Sequence, residues 1–412
     1  MKSFSILIGK TVKKLAKIKG SGSAFPGLVV EKLDPSFLRS VLKTLPYGVA
    51  VVLGTNGKTT TTKIVTELLE QQGLRVFTNK TGSNFVRGVI SEILDNITLS
   101  GKFDYDIAVL ELDEAHAVRF CKAADINYAL ILNVQRDQLD RFGEIDHTAD
   151  LLSTVAAHAS QCVVLNREDQ RVSKIEGIKT VYFGLSDKLI NMFPADDDLL
   201  NTNRKISAND QKNAKVILSD LEGSRASYTA ANVTCSANLA LKGIYNAYNA
   251  AAALTLVSEI LPDADFAQLT DNLADIHSAF GRGEAFELNG IRTELFLVKN
   301  PAAFRLGLKS FADNEHDFMI AINDNSADGH DVSWLWNVDF SDLPAVKVTS
   351  GIRASDMALR LKYDNVSTDA VIESLPDALD YFAKNGTAPK RIFATYTAML
   401  EIRKTILGRS IL

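Results

Sequence analysis

Cysteine is scarce in this sequence. Its 412 residues include three cysteines, Cys121, Cys162 and Cys235, and no two of them form a CxxC pair. A zinc ribbon or a redox dithiol is built from such pairs, so we expect no zinc ion and no dithiol chemistry. Isolated cysteines are typical of proteins that stay in a reducing, cytoplasmic compartment.

The chain also lacks an excess of positive charge and a long apolar run. Lys and Arg number 45 against 50 Asp and Glu, which gives a net charge of −5 and argues against nucleic-acid binding by the whole chain. The apolar segment 4–9 is far shorter than the ~20 residues of a membrane-spanning helix. Apolar residues make up 46% and charged residues 23%, values typical of folded proteins.

The first 20 residues carry six lysines and no acidic residue. Ile8, Val12, Leu15 and Ile18 recur at helical spacing, so this segment is predicted to be a basic amphipathic helix. Two interpretations stay open. The apolar face packs on the rest of the protein with the lysines in water, or the helix contacts an anionic membrane surface.

From Gly48 onwards, short apolar runs alternate with helical patterns. This alternation predicts an α/β fold in which helices flank a parallel-rich sheet. We expect strands at 48–53, 75–79, 107–112, 128–133, 162–166 and 180–184, and in a smaller Rossmann-like domain at 293–298, 318–323, 345–350 and 391–395.

The predicted organisation is a leader at 1–46, a central domain at 47–285 and a C-terminal α/β domain at 286–412. The composition changes near residues 281–283, which marks the second boundary. Within the central domain, residues 186–237 contain many Asp and Asn and few long apolar runs. We interpret them as an insertion or a small β subdomain.

The segment GTNGKTT lies between an apolar strand and an amphipathic helix that is predicted to end near Gly73. A triphosphate needs backbone N–H donors, a positive helix end and a lysine, and a strand–turn–helix of this kind supplies all three. Lys58 is expected to reach the terminal phosphates and Thr59 to hold Mg²⁺. The longer GxxxxGK[ST] pattern is not met, because Val52 occupies its first glycine position. The predicted nucleotide-binding residues of this turn are Gly54, Thr55, Asn56, Gly57, Lys58, Thr59 and Thr60.

Acidic residues follow another predicted strand in the sequence ELDE at 111–114. Open parallel sheets bind ligands at the carboxyl ends of their strands, and Mg²⁺ prefers hard oxygen ligands. Glu111 is therefore the candidate metal ligand and catalytic carboxylate, with a solvated strand end as the alternative. Asp113 and Glu114 fit a helix cap equally well.

Several motifs together resemble a known family. GTNGKTT, LELDE, the run at 133–146, YNAYNAAAA and GRGE occur in an order similar to that of the ATP-binding domain of the Mur ligase superfamily. More narrowly, VKNP at 298–301, NDNSADGHDVSWLW at 323–336 and TSGIR at 349–353 resemble the MurT family, the Mur-ligase-like subunits of lipid II isoglutaminyl synthase. The resemblance excludes the 186–237 segment.

This resemblance implies further nucleotide contacts. Asn246 and Asn249 would flank the nucleotide, and Arg282 would approach the terminal phosphate. The two asparagines share one helix face, so they could bond a ribose or base, or form a buried polar pair. Arg282 stands between two glycines and could instead be an ordinary hinge residue.

The resemblance also implies the reaction. The α-carboxyl of D-glutamate in the stem peptide of lipid II would become an amide through an acyl phosphate, with ATP and Mg²⁺. Many relatives carry a four-cysteine zinc ribbon, which this sequence lacks. About 46 residues precede the first predicted strand, so a lipid-linked substrate at the inner face of a membrane is expected rather than a nucleotide sugar.

Ammonia for such amidations usually comes from glutamine, released by a cysteine in a sharp turn. No cysteine here has the small neighbours of such a turn. We therefore expect a separate glutaminase subunit, similar to GatD, in a heterodimer. By resemblance, Asp331 would complete the partner's Cys–His pair, with Asp328 and Asp339 as alternatives. The two tryptophans, Trp334 and Trp336, fit a partner surface or a core.

Two rival functions remain at this point. One is a Mur or folylpolyglutamate type amino-acid ligase that needs no glutaminase, and the other is a nucleotide-binding protein without catalysis. Asn79, Lys80, Asn84 and Arg136 follow predicted strands near the expected site and are candidates for binding the acceptor.

Overall fold

The computed structural model of the protein describes residues 2–18, 24–79, 84–135, 145–193, 213–277 and 282–407. Its α-helices are α1 (Lys2–Ile18), α2 (Phe25–Leu33), α3 (Phe37–Leu42), α4 (Lys58–Gln71), α5 (Val86–Asn96), α6 (Glu114–Ala123), α7 (Ile145–Ala156), α8 (Ile244–Ile260), α9 (Phe266–Asp271), α10 (Pro301–Phe311), α11 (Ala354–Tyr363), α12 (Leu375–Lys384) and α13 (Tyr396–Leu407).

The strands of the first sheet are β1 (Val49–Leu53), β2 (Val76–Thr78), β3 (Ile107–Glu111), β4 (Ile126–Ile131), β5 (Ala159–Asn166), β6 (Thr180–Leu185), β7 (Ala214–Glu222), β8 (Arg225–Ala230) and β9 (Val233–Asn238). Their order is β2-β3-β1-β4-β5-β6-β7-β8-β9. The sheet is parallel from β2 to β7 and antiparallel from β7 to β9. The predicted α/β class is confirmed.

Strand β1 shows why an apolar run forms a central strand. Val49, Val51 and Leu53 enter the core on one face of the sheet, and Ala50 and Val52 enter the core on the other. Because successive side chains point to opposite faces, a strand buried on both sides must be apolar throughout. Helices α5 and α6 contribute to the first core, and α4 and α8 to the second.

The second sheet consists of β10 (Arg282–Leu288), β11 (Ile291–Leu297), β12 (Asp317–Ala321), β13 (Ala345–Ser350), β14 (Ser367–Ile372) and β15 (Lys390–Ala394), in the order β10-β11-β15-β12-β13-β14. It is parallel except for the β10–β11 pair. This sheet starts at Arg282, four residues before the domain boundary expected at 286. The domain limits themselves stay a prediction.

The segment 186–237 does not form a subdomain of its own where the structure describes it. Strand β7 pairs in parallel with β6, and β8 and β9 continue the same sheet as an antiparallel meander. The expectation of a separate β subdomain is therefore corrected: residues 213–237 extend the central sheet. Residues 194–212 lie outside the described part. The expected absence of zinc stays a prediction.

Helix α1 is present, as the sequence predicts. Ile6 and Gly9 face the protein, whereas Leu15 is exposed and Ile8 and Val12 are half-buried. The apolar stripe read from the sequence is therefore not the packed face. Among the described residues, no helix combines the length and hydropathy that crossing a membrane requires.

Strand order also locates the crevice for a ligand. Strands β1 and β4 are neighbours in the sheet. After β1 the chain continues through α4 to β2 and β3 on one side of this pair, and after β4 it continues to β5 on the other side. In open parallel sheets, ligands bind at the carboxyl ends of two such neighbouring strands. The turn at 54–57 and the loop at 132–135 lie at this position.

Candidate active site

The turn after β1 is braced by the loop after β4. The Thr55 N–H donates to the Asn133 carbonyl (3.1 Å), and the Asn56 N–H donates to Asn133 Oδ1 (2.8 Å). Asn133 Nδ2 donates back to the Asn56 carbonyl (3.0 Å), and the Gln135 N–H donates to Thr55 Oγ1 (3.0 Å). The N–H groups of Thr55 and Asn56 are therefore used to shape the turn. The backbone N–H groups at the start of α4 are the ones expected to bind a phosphate.

Gly57 joins this turn to α4 in a left-handed conformation, with φ of +88°. A Cβ at this position would lie 2.6 Å from Asn249 Oδ1 on α8. Both the conformation and the close approach require glycine. Asn249 is thereby held against this turn, and its contact with a nucleotide stays a prediction.

Lys58 lies at the first position of α4. Its Nζ donates to the Gly54 carbonyl (2.6 Å) and to Glu114 Oε1 (3.0 Å). Glu114 and Lys58 are both largely buried, so this ion pair fixes the ammonium group beside the turn. In the sequence Glu114 fits a helix cap equally well, and no local pattern predicts its pairing with Lys58.

Glu111 ends β3 next to β1 and is 7% exposed. Its Oε1 accepts a hydrogen bond from Asn84 Nδ2 (3.1 Å), and its backbone bonds Asn79 through both the N–H and the carbonyl (2.9 Å each). Asn79 and Asn84 thus hold a buried carboxylate at the carboxyl edge of the sheet. Lys80 and Arg136, also considered for acceptor binding, lie outside the described residues.

The second sheet reaches the same turn. Lys299 Nζ donates to the Thr55 carbonyl (3.1 Å), and Asn300 bonds Asn56 side chain to side chain. Residues 298–300 follow β11 and the turn at 54–57 follows β1, so the carboxyl edges of the two sheets face each other here. A ligand in this place contacts both sheets.

A cavity of about 160 Å³ opens beside this contact. Asn56, Gly57 and Asn249 line its end near the phosphate turn, and Lys299 lines it from the second sheet. Aromatic side chains form much of the remaining wall, namely Phe193, Tyr245, Tyr248, Phe296 and Phe311. Apolar rings next to a polar turn suit a planar base attached to a phosphate chain.

Asn246 and Arg282 are two other residues predicted to contact the nucleotide. Asn246 is 1% exposed and donates to the Lys242 carbonyl (2.6 Å), and its Oδ1 accepts from Asn249 Nδ2 (3.4 Å). It supports Asn249 from behind, in a buried polar pair. Arg282 begins β10 opposite Phe296, which lines the cavity; the role of its side chain stays a prediction.

The three acids considered for the partner's site, Asp328, Asp331 and Asp339, have different surroundings. Asp328 is buried and accepts from the Thr397 N–H (2.8 Å) and hydroxyl, and burial raises the pKa of its carboxyl. Asp339 accepts from Ser341. Asp331 is exposed and accepts from the Ser333 N–H (2.8 Å), and the hydrogen bonds from Ser333 lower its pKa. Asp339 is exposed as well, and the hydrogen bonds from Ser341 lower the pKa of its carboxyl, so Asp331 and Asp339 are both exposed carboxylates that stay ionised.

The tryptophans divide between core and surface. Trp334 is half-buried and packs toward Phe304 (6.3 Å between ring centroids). Trp336 is 51% exposed, meets the ring of Tyr363 edge to face (5.2 Å), and lies under the Arg360 guanidinium (5.4 Å). Partner contact is therefore an option for Trp336, whereas Trp334 belongs to the core.

Four contributors to the turn were absent from the predicted site: Asn133, Gln135, Lys299 and Asn300. All four occur within motifs that the resemblance rested on, the run beginning NVQ and the sequence VKNP. The sequence therefore marks these four residues as parts of motifs. The spacing of residues along the chain does not show which distant turn their side chains contact.

Comparisons with known proteins agree with this geometry. The family model described as "Mur ligase middle domain" matches residues 52–257, half of the chain, and the one described as "MurT ligase C-terminal" matches residues 297–399. The protein from Streptococcus pneumoniae named lipid II isoglutaminyl synthase (glutamine-hydrolyzing) subunit MurT is 29% identical over 99% of this chain and 98% of its own length. Its counterpart in Staphylococcus aureus strain COL is 27% identical over 90% and 89%.

A solved structure shares the fold. MurF ligase from Thermotoga maritima in complex with ADP superposes with a TM-score of 0.65 at 18% identity, covering 92% of this chain and 85% of that one. This match shows that the two chains share a fold. Because the middle-domain model covers half of the chain, the chain belongs to the Mur ligase family.

Proposed function

We propose that this chain is the ligase subunit of a two-subunit enzyme that amidates the α-carboxyl of D-glutamate in the stem peptide of lipid II. The observation that carries this proposal is that Lys58 and the VKNP segment of the second sheet both bond the turn after β1, beside the strand that ends in Glu111. The name of the S. pneumoniae relative, similar over nearly its whole length, supports the substrate and the reaction.

The nucleotide is ATP in this proposal. A strand–turn–helix with a lysine at the helix start is suited to a triphosphate, and the aromatic cavity suits a purine. The fold neighbours that hold ADP, MurF from T. maritima and FolC from Escherichia coli, support the same choice.

The donor chemistry also fits a magnesium ion. Glu111 offers a buried carboxylate whose Oε1 accepts a hydrogen bond from Asn84 Nδ2, and Thr59 is the second residue of α4. These two residues would hold Mg²⁺, with phosphate oxygens and water completing its shell. When bound, the ion neutralises phosphate charge during phosphoryl transfer.

A carboxylate resists attack by ammonia because oxide is a poor leaving group. Transfer of the γ-phosphoryl of ATP to a carboxylate oxygen gives an acyl phosphate and ADP. Ammonia then forms the C–N bond, and phosphate leaves with that oxygen. Lys58 stabilises the charge that spreads over the transferred group, while the braced turn keeps the donor aligned.

The ammonia comes from a partner in this proposal. Burial raises the pKa of the Cys121 thiol to about 11 and that of Cys162 to about 12, and it also raises the pKa of Cys235. These thiols are protonated at neutral pH and are therefore poor nucleophiles. A GatD-like glutaminase subunit in a heterodimer supplies ammonia, as the words "glutamine-hydrolyzing" and "subunit" in the relatives' names support.

Asp331 is the residue of this chain that would serve the partner. It is an exposed carboxylate on the loop after β12, at the same edge of the second sheet as Asn300. A carboxylate there can orient a histidine of the glutaminase. Trp336 and Tyr363, 51% and 67% exposed, offer the aromatic surface that protein interfaces favour. The complex would act in the cytoplasm, at the inner face of the membrane.

Reconstitution tests this function. The chain is co-expressed with a candidate glutaminase and given lipid II, ATP, Mg²⁺ and glutamine, and the stem peptide is examined by mass spectrometry. We expect a loss of one mass unit per amidated stem together with ADP and phosphate. Glutamine-dependent amidation by the chain alone, or ligation of an amino acid instead of ammonia, would contradict the proposal.

Asp331→Asn separates the partner's step from the ligase step. The variant is expected to lose glutamine-driven amidation and to keep amidation driven by ammonium, because its carboxylate acts on the partner. Asp339→Asn is the matched control, since that acid is also exposed and bonds a serine two residues on. If Asp331→Asn lost glutamine-driven and ammonium-driven amidation equally, Asp331 would not be the residue that acts on the partner.

A further inference from the structure

Helix α1 presents its apolar side chains outward. Phe4, Leu7 and Leu15 are 66%, 53% and 57% exposed. At 100° per residue these three fall within one third of the helix circumference, with Thr11 between them. They form an outward apolar ridge along the helix.

The inward face is fixed to the protein by other means. A Cβ at Gly9 would lie 2.7 Å from Val30 Cγ2 on α2 and 2.8 Å from Leu94 Cδ1 on α5, so the helix backbone packs closely there. Lys13 Nζ donates to the Ser91 carbonyl (2.6 Å) and to Asp95 Oδ2 (2.7 Å), both on α5. The orientation of α1 is therefore set by a glycine contact and a half-buried ion pair, and the ridge faces away.

The charge beside the ridge is of one sign. Lys10 and Lys14 lie along its edge, and residues 1–30 contain no Asp or Glu. An apolar ridge flanked by lysines is complementary to a bilayer with anionic headgroups, in which rings and aliphatic chains enter the acyl boundary and ammonium groups stay at the phosphates. An apolar protein partner would not require this excess of positive charge.

We propose that α1 is a membrane-docking helix that lies flat on an anionic bilayer through Phe4, Leu7 and Leu15. This inference rests on the proposed function for its purpose, since a lipid-linked substrate stays at such a surface. Helix α5 connects α1 with the acidic site. Lys13 of α1 bonds Ser91 of α5, and α5 starts two residues after Asn84, which donates a hydrogen bond to Glu111. Docking of α1 therefore holds the acid site near the membrane through a single intervening helix.

Vesicle co-sedimentation of the full chain tests the proposal without ATP or substrate. Vesicles of phosphatidylglycerol mixed with phosphatidylcholine are compared with vesicles of phosphatidylcholine alone. We expect binding to the anionic vesicles that weakens with added salt. The triple variant Phe4→Ser, Leu7→Ser and Leu15→Ser is expected to bind about tenfold or more weakly, because the apolar contribution is lost.

Two further variants complete the test. Ile178→Ser removes an apolar side chain that is 73% exposed elsewhere and should leave vesicle binding unchanged. Lys10→Glu with Lys14→Glu should weaken binding to anionic vesicles by about tenfold. Thermal unfolding of each variant should match the wild type, since every changed side chain lies at the surface.

The outcomes separate the docking proposal from the proposed function. Undiminished vesicle binding by the triple serine variant, or no binding by the wild type, overturns docking through α1. So does a change of oligomeric state in the triple variant, since the ridge would then be an interface between proteins. Amidation of detergent-solubilised lipid II with ammonium should be unchanged in this variant, so a failure there concerns the ligase reaction alone.

Discussion

Asn56 and Asn300 bond each other reciprocally across the two sheets. Asn56 Nδ2 donates to Asn300 Oδ1 (3.2 Å), and Asn300 Nδ2 donates to Asn56 Oδ1 (3.1 Å). The same Asn300 Oδ1 accepts from the Ala303 N–H (2.9 Å) and so caps α10. One side chain thus starts a helix of the second sheet and positions the phosphate turn of the first.

Asn300→Asp separates these two roles. Aspartate keeps the acceptor that caps α10 but loses the donor to Asn56 and adds a negative charge beside the phosphate site. We expect a change of less than about 1 kcal/mol in the free energy of unfolding and an increase of about tenfold in the KM for ATP. Urea denaturation and steady-state ADP release measure the two effects.

The control for this change is a helix cap far from the turn. Asp265 caps α9 by accepting from the Ala267 N–H (3.0 Å), and Asp265→Ala removes that cap. It should cost about 1 kcal/mol of stability and leave the KM for ATP unchanged. An unchanged KM in Asn300→Asp as well would mean that the contact between the sheets does not position the turn.

Gly57→Ala is expected to destabilise the protein more than Gly73→Ala. The φ angle is +88° at Gly57 and +87° at Gly73, so alanine strains the backbone at both positions. A Cβ at Gly73 meets nothing within 4 Å, whereas one at Gly57 lies 2.6 Å from Asn249 Oδ1. The difference between the two variants, on the order of 1–3 kcal/mol by urea denaturation, therefore measures the clash.

The clash can be relieved from the other side. In the double variant Gly57→Ala with Asn249→Ala, the Oδ1 that the new Cβ meets is gone. The two changes should be less destabilising together than the sum of the separate losses, by about 1 kcal/mol or more. Additive losses would show that Asn249 does not press against the turn. Nucleotide binding should remain weak in the double variant.

Asp328 and Asp331 should affect stability with opposite dependence on pH. Burial raises the pKa of Asp328 in the folded protein, so the fold favours its protonated form. The stability that Asp328 contributes is present at low pH and is lost as pH rises from its unfolded pKa, about 3.9, through the raised value. The advantage of the wild type over Asp328→Asn should therefore shrink as the pH rises.

Asp331 provides the comparison. The hydrogen bonds from Ser333 lower its folded pKa, so its contribution is present above the unfolded pKa and is lost as pH falls through the lowered value. The advantage of the wild type over Asp331→Asn should grow with pH. Unfolding free energies measured across the acidic range check both signs, and the same trend for both variants would contradict the assignment.

The sequence predicted the interior strands well and the outer strands poorly. Strands such as β1 are apolar throughout because both of their faces are buried. Strand β14, at the edge of the second sheet, alternates exposed and half-buried residues, and β9 at the edge of the first is largely uncovered. Neither has an apolar run, so the sequence pattern predicts no strand at 367–372 and indicates an insertion or a small β subdomain at 186–237.

The site was predictable where local sequence carries the chemistry. The turn at 54–60 has a lysine and glycines at fixed spacing, and this local pattern predicts a phosphate site. Lys58 with Glu114, and Lys13 with Asp95, are instead contacts between residues 56 and 82 positions apart. The topology of the fold brings these residues together, and no periodicity along the chain predicts the contacts.

The central claim is that the turn carrying Lys58 energises a carboxylate by phosphoryl transfer. The most direct test uses acceptor labelled with ¹⁸O in the α-carboxyl, with ammonium as the nitrogen source and Lys58→Ala as the control. An acyl phosphate requires that one carboxylate oxygen leave with the phosphate, so the account predicts singly labelled phosphate from the wild type and almost none from the variant. Unlabelled phosphate accompanying amide formation, or labelled phosphate at the wild-type rate from Lys58→Ala, would contradict it.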